Sequence, residues 1–232
     1  MLIVKEQGAY YEIEGERYPR VSSILSKLAK PALVGAATKV VAQAAAAGIY
    51  AGRDDEFDLL KGEARRQWNA KAQKGTEIHA AIASCLYGDE YDSAYQWAVE
   101  QAAEVINLLP GGWFETEQVL VNRDLGYAGT ADLWSNFIVA DWKSGGLWPD
   151  HALQLWAYAN ATHRVTDAGL LEIGAHERPQ QLFVVGLRPE APEIVRYNLA
   201  DSHVDEMLGG AFRGLLAVHR WSKAKGLSTN EI

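Results

Sequence analysis

The chain predicts a mixed α/β (α+β) fold, a central sheet flanked by helices with a helical region on its N-terminal side. Three observations carry this. Up to about residue 110 the chain reads as successive helices. From residue 113 the period changes to short alternating runs bounded by turn residues. The later strands are interleaved with two more helices, giving the order strand-strand-strand-helix-strand-strand-helix. The expected organisation is one domain over 1–232, with a helical part over 20–110 and a sheet-and-helix core over 113–225.

The elements follow in order. Residues 3–19 alternate as a short hairpin with its turn near Glu14-Gly15. In "RVSSILSKL", Ser22 or Ser23 caps a helix starting at about Ile24, and Pro31 ends that helix or starts the next. Residues 33–51 are alanine-rich and helical by propensity. Residues 57–74 carry Lys61, Arg65, Arg66, Lys71 and Lys74 at helical spacings. A separate helix is expected from about Thr76 to Leu86, and another from Tyr91 to Leu109, stopped by Pro110-Gly111-Gly112. Strands then fall in "WFETEQVLVN", "GYAGTADLW" and "FIVADWK", followed by a helix from about Pro149 to His163. The strands "QQLFVVGL" and "EIVRYNL" and an amphipathic helix over about 201–225 complete the reading.

Composition bounds what the chain can be. Its 232 residues are 48% apolar and 22% charged, enough for a sizeable core. The one cysteine, Cys85, excludes an internal disulfide framework and a four-cysteine zinc or iron–sulfur site, and fits a reducing cytoplasm. The first residues turn charged too soon for a signal-peptide core, and the apolar stretch Val40–Ala51 is too short to span a bilayer, so no membrane association is expected. A net charge of −8 argues against a nucleic-acid coat protein but leaves room for a local basic groove. Carboxylates gathered around metal ions also push the sum negative.

Chemistry concentrates in "GTADLWSNFIVADWK". If Ser135-Asn136 is a two-residue turn, Asp132 pairs with Val139, and residues 132, 139, 141 and 143 share one face. Asp132 and Asp141 then lie on a cross-strand diagonal, roughly 7–8 Å apart at Cα. A three-residue loop would separate them. Two acids on one face need a cation or a shared proton, and oxygen donors suit a hard divalent ion. Lys143 adds a charge that can hold a phosphate oxygen, and Gly129 offers close approach to the backbone. An acid and a lysine two apart is also how an ordinary solvated strand end looks. His79, in "KGTEIH", falls in the first turns of a helix if Thr76 is its cap, where a neutral, metal-binding imidazole is favoured. Gln154 and Tyr158 stand at i, i+4 on one helix face.

"GTEIH", "GTADLW", "DWKSG" and "QLWAYA", in that order, resemble the RecB-like branch of the PD-(D/E)XK nucleases. "YPRVSSIL" is similar to the phage and mitochondrial genome-maintenance exonucleases of that branch. The resemblance runs from about Tyr18 to the final helix and implies a restriction-endonuclease-like core. It implies that His79, Asp132 and Asp141, with the Trp142 carbonyl, ligate one or two magnesium or manganese ions. It makes Lys143 the catalytic lysine beside Asp141 and Asp132. Gln154 and Tyr158, together with Ser144 and Trp148 of the following loop, become substrate-binding positions, and Glu117 an adjunct acid or second-metal residue. With Cys85 alone, no iron–sulfur cluster is expected. The absence of helicase motifs implies a stand-alone nuclease or one helped by a helicase or recombination partner.

The implied activity is a magnesium- or manganese-dependent DNA exonuclease acting from single-stranded ends, in the cytoplasm of a bacterial or phage-infected cell. The expected channel wall carries Lys27, Lys30, Lys39, Arg53, Arg65, Arg66, Lys71 and Lys74, diluted by Asp54, Asp55, Glu56, Asp58 and Glu63. Trp142 and Trp148 flank the site as candidates for base stacking. Three alternatives stay open: a structure-specific endonuclease, a non-catalytic nucleic-acid-binding assembly factor, and a hydrolase of small phosphate esters.

Overall fold

The apolar run "IVA" ahead of Asp141 is buried on both faces, and its strand lies in the interior of the main sheet. The structure, a computed structural model, describes residues 5–109, 114–166, 168–174 and 177–224. Three short strands come first: β1 (Lys5–Gln7), β2 (Tyr10–Ile13) and β3 (Glu16–Pro19). Helices α1 (Val21–Leu25), α2 (Pro31–Ala46) and α3 (Glu56–Tyr87) follow, and a 3-10 turn at Ser93–Tyr95 leads into α4 (Gln96–Leu108). Next are β4 (Glu115–Asn122), β5 (Tyr127–Trp134), β6 (Ile138–Lys143) and α5 (Asp150–Ala159). The described chain closes with β7 (His163–Thr166), β8 (Gly169–Glu172), β9 (Gln181–Gly186), β10 (Glu193–Asn198) and α6 (Ser202–Ala224).

The main sheet has the order β10-β9-β6-β5-β4-β7-β8 and is mixed, as expected: β6 and β9 run parallel while the other neighbours are antiparallel. A parallel pair needs a crossover, and α5 lies in the one between β6 and β9. The helix packs on β5, β6 and β9 and against α1 and α6. Apolar burial holds it there. Leu155, Ala157 and, from α6, Phe212 are fully enclosed, and a buried Leu or Phe contributes about 1.5–3 kcal/mol where an exposed ion pair adds about 0–1. The small sheet β1-β2-β3 seals another part of the core through Tyr11, Ile13 and Tyr18 against Val121 and Ala128.

The chain divides into two compact units. One comprises the chain up to Lys27 and from His79 onward; the other is Leu28–Ile78. The line thus falls elsewhere than the expected helical part over 20–110, because α1, α4 and the end of α3 belong with the sheet. Within the second unit Tyr50 donates to Glu63 at 2.6 Å, and Arg66 meets the same carboxylate at 2.9 Å. No helix among the described residues is long and apolar enough to cross a membrane.

Several local expectations need correction. The first helix starts at Val21, so Ser22 and Ser23 lie inside it, and its cap residue is Arg20. Pro31 starts α2 rather than ending α1. The two helices expected over 57–74 and 76–86 are one, α3. A single interior glycine costs about 1 kcal/mol, too little to break so long a helix. Thr76 is no cap, since its hydroxyl donates back to the Ala72 carbonyl at 3.2 Å. The helix expected to reach His163 stops at Ala159, and His163 opens β7, one of two four-residue strands too short and too polar to read from pattern. The stop expected at Pro110-Gly111-Gly112 lies outside the described residues. At the other end, Glu14 and Gly15 do form the turn of the β2–β3 hairpin, at φ 54° and 81°.

The β5–β6 register matters most. Trp134 pairs with Val139 and Leu133 with Ala140, and the Ser135 amide donates to the Ile138 carbonyl at 2.9 Å. The turn is therefore Asn136-Phe137, not Ser135-Asn136. A shift of two residues keeps the parity, and a continued register would set Asp132 opposite Asp141 rather than diagonal. The facing along β5 is not regular. Tyr127, Ala131 and Trp134 all join one apolar cluster, although strict alternation would put Trp134 on the other side from Ala131. Asp132 sits in that step.

Gly129 is needed for a different reason than expected. A β-carbon there would lie 2.5 Å from Cε1 of Tyr158, so it is the tyrosine ring, not a ligand, that approaches the backbone. Gly129→Ala is therefore expected to lower stability by about 1–3 kcal/mol, read as a shift in the denaturant midpoint without a change in slope. A wild-type midpoint in this variant would show that the ring is not tightly seated.

Candidate metal centre

Three elements bring donors together. α3 carries His79, β4 carries Glu117 and β5 carries Asp132. One ligand atom from each lies within 4.8 Å of the other two. Ligands around a magnesium ion at about 2.1 Å stand about 3–4.2 Å apart, so the three need to draw in only slightly. The donor set of one imidazole and two carboxylates fits a divalent ion and is open to magnesium, manganese and zinc alike.

Asp132 is the pivot. Its Oδ2 accepts the backbone amide of Trp142 at 2.7 Å, and its Oδ1 faces His79 Nδ1 at 3.2 Å. The carboxylate thus occupies the place on β6 where the ladder to β5 has ended. Opposite it across the β4–β5 hairpin stands Glu117, at φ 50°, and this pair is also missing from the ladder. A non-glycine residue in the left-handed region costs of order 1–3 kcal/mol and is held there by its surroundings. The strain falls at a candidate ligand. Glu117, expected as an adjunct acid or a second-metal residue, is one of the three converging donors. Its place could have been read from the hairpin parity, which sets it across from Asp132.

Asp141 stands outside this trio. Its Oδ2 lies 2.5 Å from Lys143 Nζ, and its Oδ1 accepts from Gln154 Nε2 at 3.2 Å. Gln154 in turn accepts from Lys143 at 3.4 Å and donates to the Tyr158 hydroxyl at 3.0 Å. The helix pair Gln154 and Tyr158 therefore meets the strand pair Asp141 and Lys143 directly. Tyr158, only 4% exposed, supports the site from beneath rather than facing solvent. Trp142 enters through its backbone; its ring is 1% exposed, which removes it as a stacking surface. Trp148 is 52% exposed, and Ser144 lies on the same exposed loop.

Electrostatics bind these groups to one another. Burial pushes the Asp141 carboxyl up to about 6; Lys143 opposes the rise and Asp132 adds to it. Burial works against the Lys143 ammonium, yet Asp141 and Asp132 outweigh it and its pKa is raised. Burial likewise favours neutral His79, but the Asp132 charge and hydrogen bond, with Asp141 behind, raise its pKa. This overturns the expected helix-terminus effect: His79 lies deep inside α3, far from its first turn. Without a cation, protons on these groups offset the two acids. Burial also raises the Tyr158 hydroxyl far above its ordinary range, and the charge of Asp141 adds to this.

Of the eight cations expected along a channel wall, Lys27 belongs to the first unit and the others to the second. Two are already engaged, Arg53 on Asp55 at 2.8 Å and Arg66 on Glu63.

Two outcomes follow from this arrangement. In EDTA, Asp141 binds its proton more tightly folded than unfolded between its ordinary 3.8 and about 6. Its ionisation then favours the unfolded chain, so wild-type stability should fall relative to Asp141→Asn as pH rises from about 4 to about 6, and level off above that. A flat difference in pH-dependent denaturant titrations would contradict the shift. Magnesium or manganese at about 100 times its Kd should raise Tm by roughly 5–10 °C, and Asp132→Asn or Glu117→Gln should abolish the rise in differential scanning fluorimetry. A full rise in both variants would exclude the trio. A scan against models of known protein families finds no match for the chain, and no curated protein matches it.

Proposed function

We propose that the chain is a metal-dependent DNA exonuclease of the RecB-like PD-(D/E)XK class, with a restriction-endonuclease-like core, hydrolysing phosphodiester bonds from single-stranded ends. The observation that carries the reading is the meeting of a His79–Glu117–Asp132 donor trio with a buried Asp141–Lys143 pair across one β5–β6 hairpin. The resemblance of "GTADLW", "DWKSG" and "QLWAYA" supports the same assignment.

In this reading His79, Glu117 and Asp132 hold the ion, and Asp141 and the Trp142 carbonyl join them when it binds. A bound divalent ion supplies a water activated at neutral pH and neutralises charge on the phosphate. The remaining work falls to the chain. The charges of Asp141 and Asp132 raise the Lys143 pKa against burial, and in this reading its ammonium stabilises negative charge on the phosphate. Asp141 and Gln154 fix its nitrogen from two sides. Tyr158 orients Gln154, and the Trp142 amide orients Asp132. The charged groups are thus placed before substrate arrives, which is what electrostatic stabilisation of a phosphoryl transition state needs.

The test is hydrolysis of end-labelled linear single strands, linear duplexes and circular single strands with magnesium, manganese or EDTA. Linear single strands should be consumed with metal and spared in EDTA, circles should resist, and Lys143→Ala should slow the reaction by about 10²-fold or more. Cleaved circles would make the protein an endonuclease. Binding without hydrolysis under any metal would make it an assembly factor, and equal rates for wild type and Lys143→Ala would remove the catalytic assignment altogether.

A further inference from the structure

The loop between β6 and α5, Ser144 to Pro149, joins the strand that bears Asp141 and Lys143 to the helix that bears Gln154 and Tyr158. It contains two adjacent glycines, Gly145 and Gly146, and both are exposed. Left alone, such a segment would be loose, since glycine has the most backbone freedom to lose. It is instead braced from outside. Arg188, just beyond β9, donates from Nη2 to the Gly145 carbonyl at 2.7 Å. Arg188 is itself held at its backbone by Gln101 of α4, whose Oε1 accepts the Arg188 amide at 3.0 Å and whose Nε2 donates to the Arg188 carbonyl. Gln101 is buried, and a buried amide group needs its partners. The neighbouring Leu187 amide donates to the Lys143 carbonyl at 2.9 Å, which ties the brace to the start of the loop.

The brace sets the position of one side chain. Trp148 lies over Gly146: a β-carbon there would sit 3.3 Å from the indole Nε1 and 3.5 Å from Cε2 and Cζ2. The glycine lets the indole rest against bare backbone, while the ring remains 52% exposed. The Trp148 amide donates to His151 Nδ1 at 3.2 Å, so the residue is fixed at its backbone as well. An exposed indole held in this way, five residues along the chain from Lys143, has one face free to take a flat ring.

We propose that Trp148 is the platform on which an unpaired base of the strand end stacks, and that Arg188 is the positioning residue that holds it there through the Gly145 carbonyl. This rests on the nucleic-acid reading above and names the substrate class at that site: a strand whose terminal bases are free, not a blunt duplex. Arg188 acts through the loop and does not touch the reacting atoms. Its contact with Glu193, at 3.7 Å and largely exposed, is too long to compete with the Gly145 bond.

The experiment is anisotropy of a fluorescent single-stranded oligonucleotide and of a blunt duplex of equal length, both in EDTA so that nothing is hydrolysed. Trp148→Ala should weaken single-strand binding about tenfold, within the range for losing one base–aromatic stack, and leave duplex binding unchanged; Trp148→Phe should keep most of it. Arg188→Ala should show the same selective loss, Arg188→Lys should restore much of it, and the double variant Arg188→Ala, Trp148→Ala should be no worse than Trp148→Ala alone. Wild-type single-strand affinity in Trp148→Ala, equal losses for single strand and duplex, or additive effects of the two substitutions would overturn the proposal. So would a wild-type protein that binds no single strand at all. Trp148-dependent binding without metal-dependent hydrolysis would leave the platform standing and remove the nuclease. Lys143-dependent hydrolysis with unchanged binding in Trp148→Ala would do the reverse.

Discussion

Three elements meet at the carboxylate of Asp132. One oxygen takes the Trp142 amide and stands in for a rung of the β5–β6 ladder; the other faces His79. The first bond fixes how far the two strands can part, and therefore where Asp141 and Lys143 sit relative to β5. The second ties the end of α3 to the sheet. A buried carboxylate with both oxygens engaged is tolerated where an isolated one would not be. The rest of the site is arranged around that constraint: Glu117 is bent into an unfavourable φ opposite it, and Gln154 and Tyr158 close the side where Lys143 emerges.

The same arrangement leaves the molecule with an electrostatic debt. Asp132 adds to the burial that holds the Asp141 carboxyl back from ionising, and Lys143 and His79 act against that rise. A divalent ion would relieve the repulsion with one stroke and displace the His79 proton. Burial raises the Asp141 carboxyl, with Asp132 adding to it, whereas for Lys143 and His79 the neighbouring acids outweigh burial and raise the pKa. Stability given up at a site in this way is common where chemistry needs groups placed in advance.

Much of the sheet was legible because its strands are bounded by turn residues and β6 is a clean apolar run. The β5–β6 pairing was legible to within two residues, an error that preserves parity. The helical side was less so. Lys74-Gly75-Thr76 carries the local marks of a helix boundary, but a propensity cost of about 1 kcal/mol at one glycine is too small to end α3. The place of Glu117 across from Asp132 was legible from hairpin parity, but its positive φ was not, since no alternation pattern records it. Gly129 was legible as a close approach but not in what approaches, because Tyr158 comes from a helix almost thirty residues further on. Arg188 and Gln101 left no signal at all: their bonds join a loop, a strand end and a helix that are distant in sequence.

What unites the fold with the proposed chemistry is that α3, β4 and β5 bring three donors within reach of one cation, while Gln154 of α5 meets Asp141 and Lys143 of β6. The most direct measurement is anomalous diffraction from crystals soaked in manganese at neutral pH. The account predicts a peak bounded by His79 Nδ1 or Nε2, Glu117 and Asp132, with the Asp132–His79 contact opened to admit the ion. A crystal saturated with manganese that shows no peak there, with His79 still paired to Asp132, would contradict it.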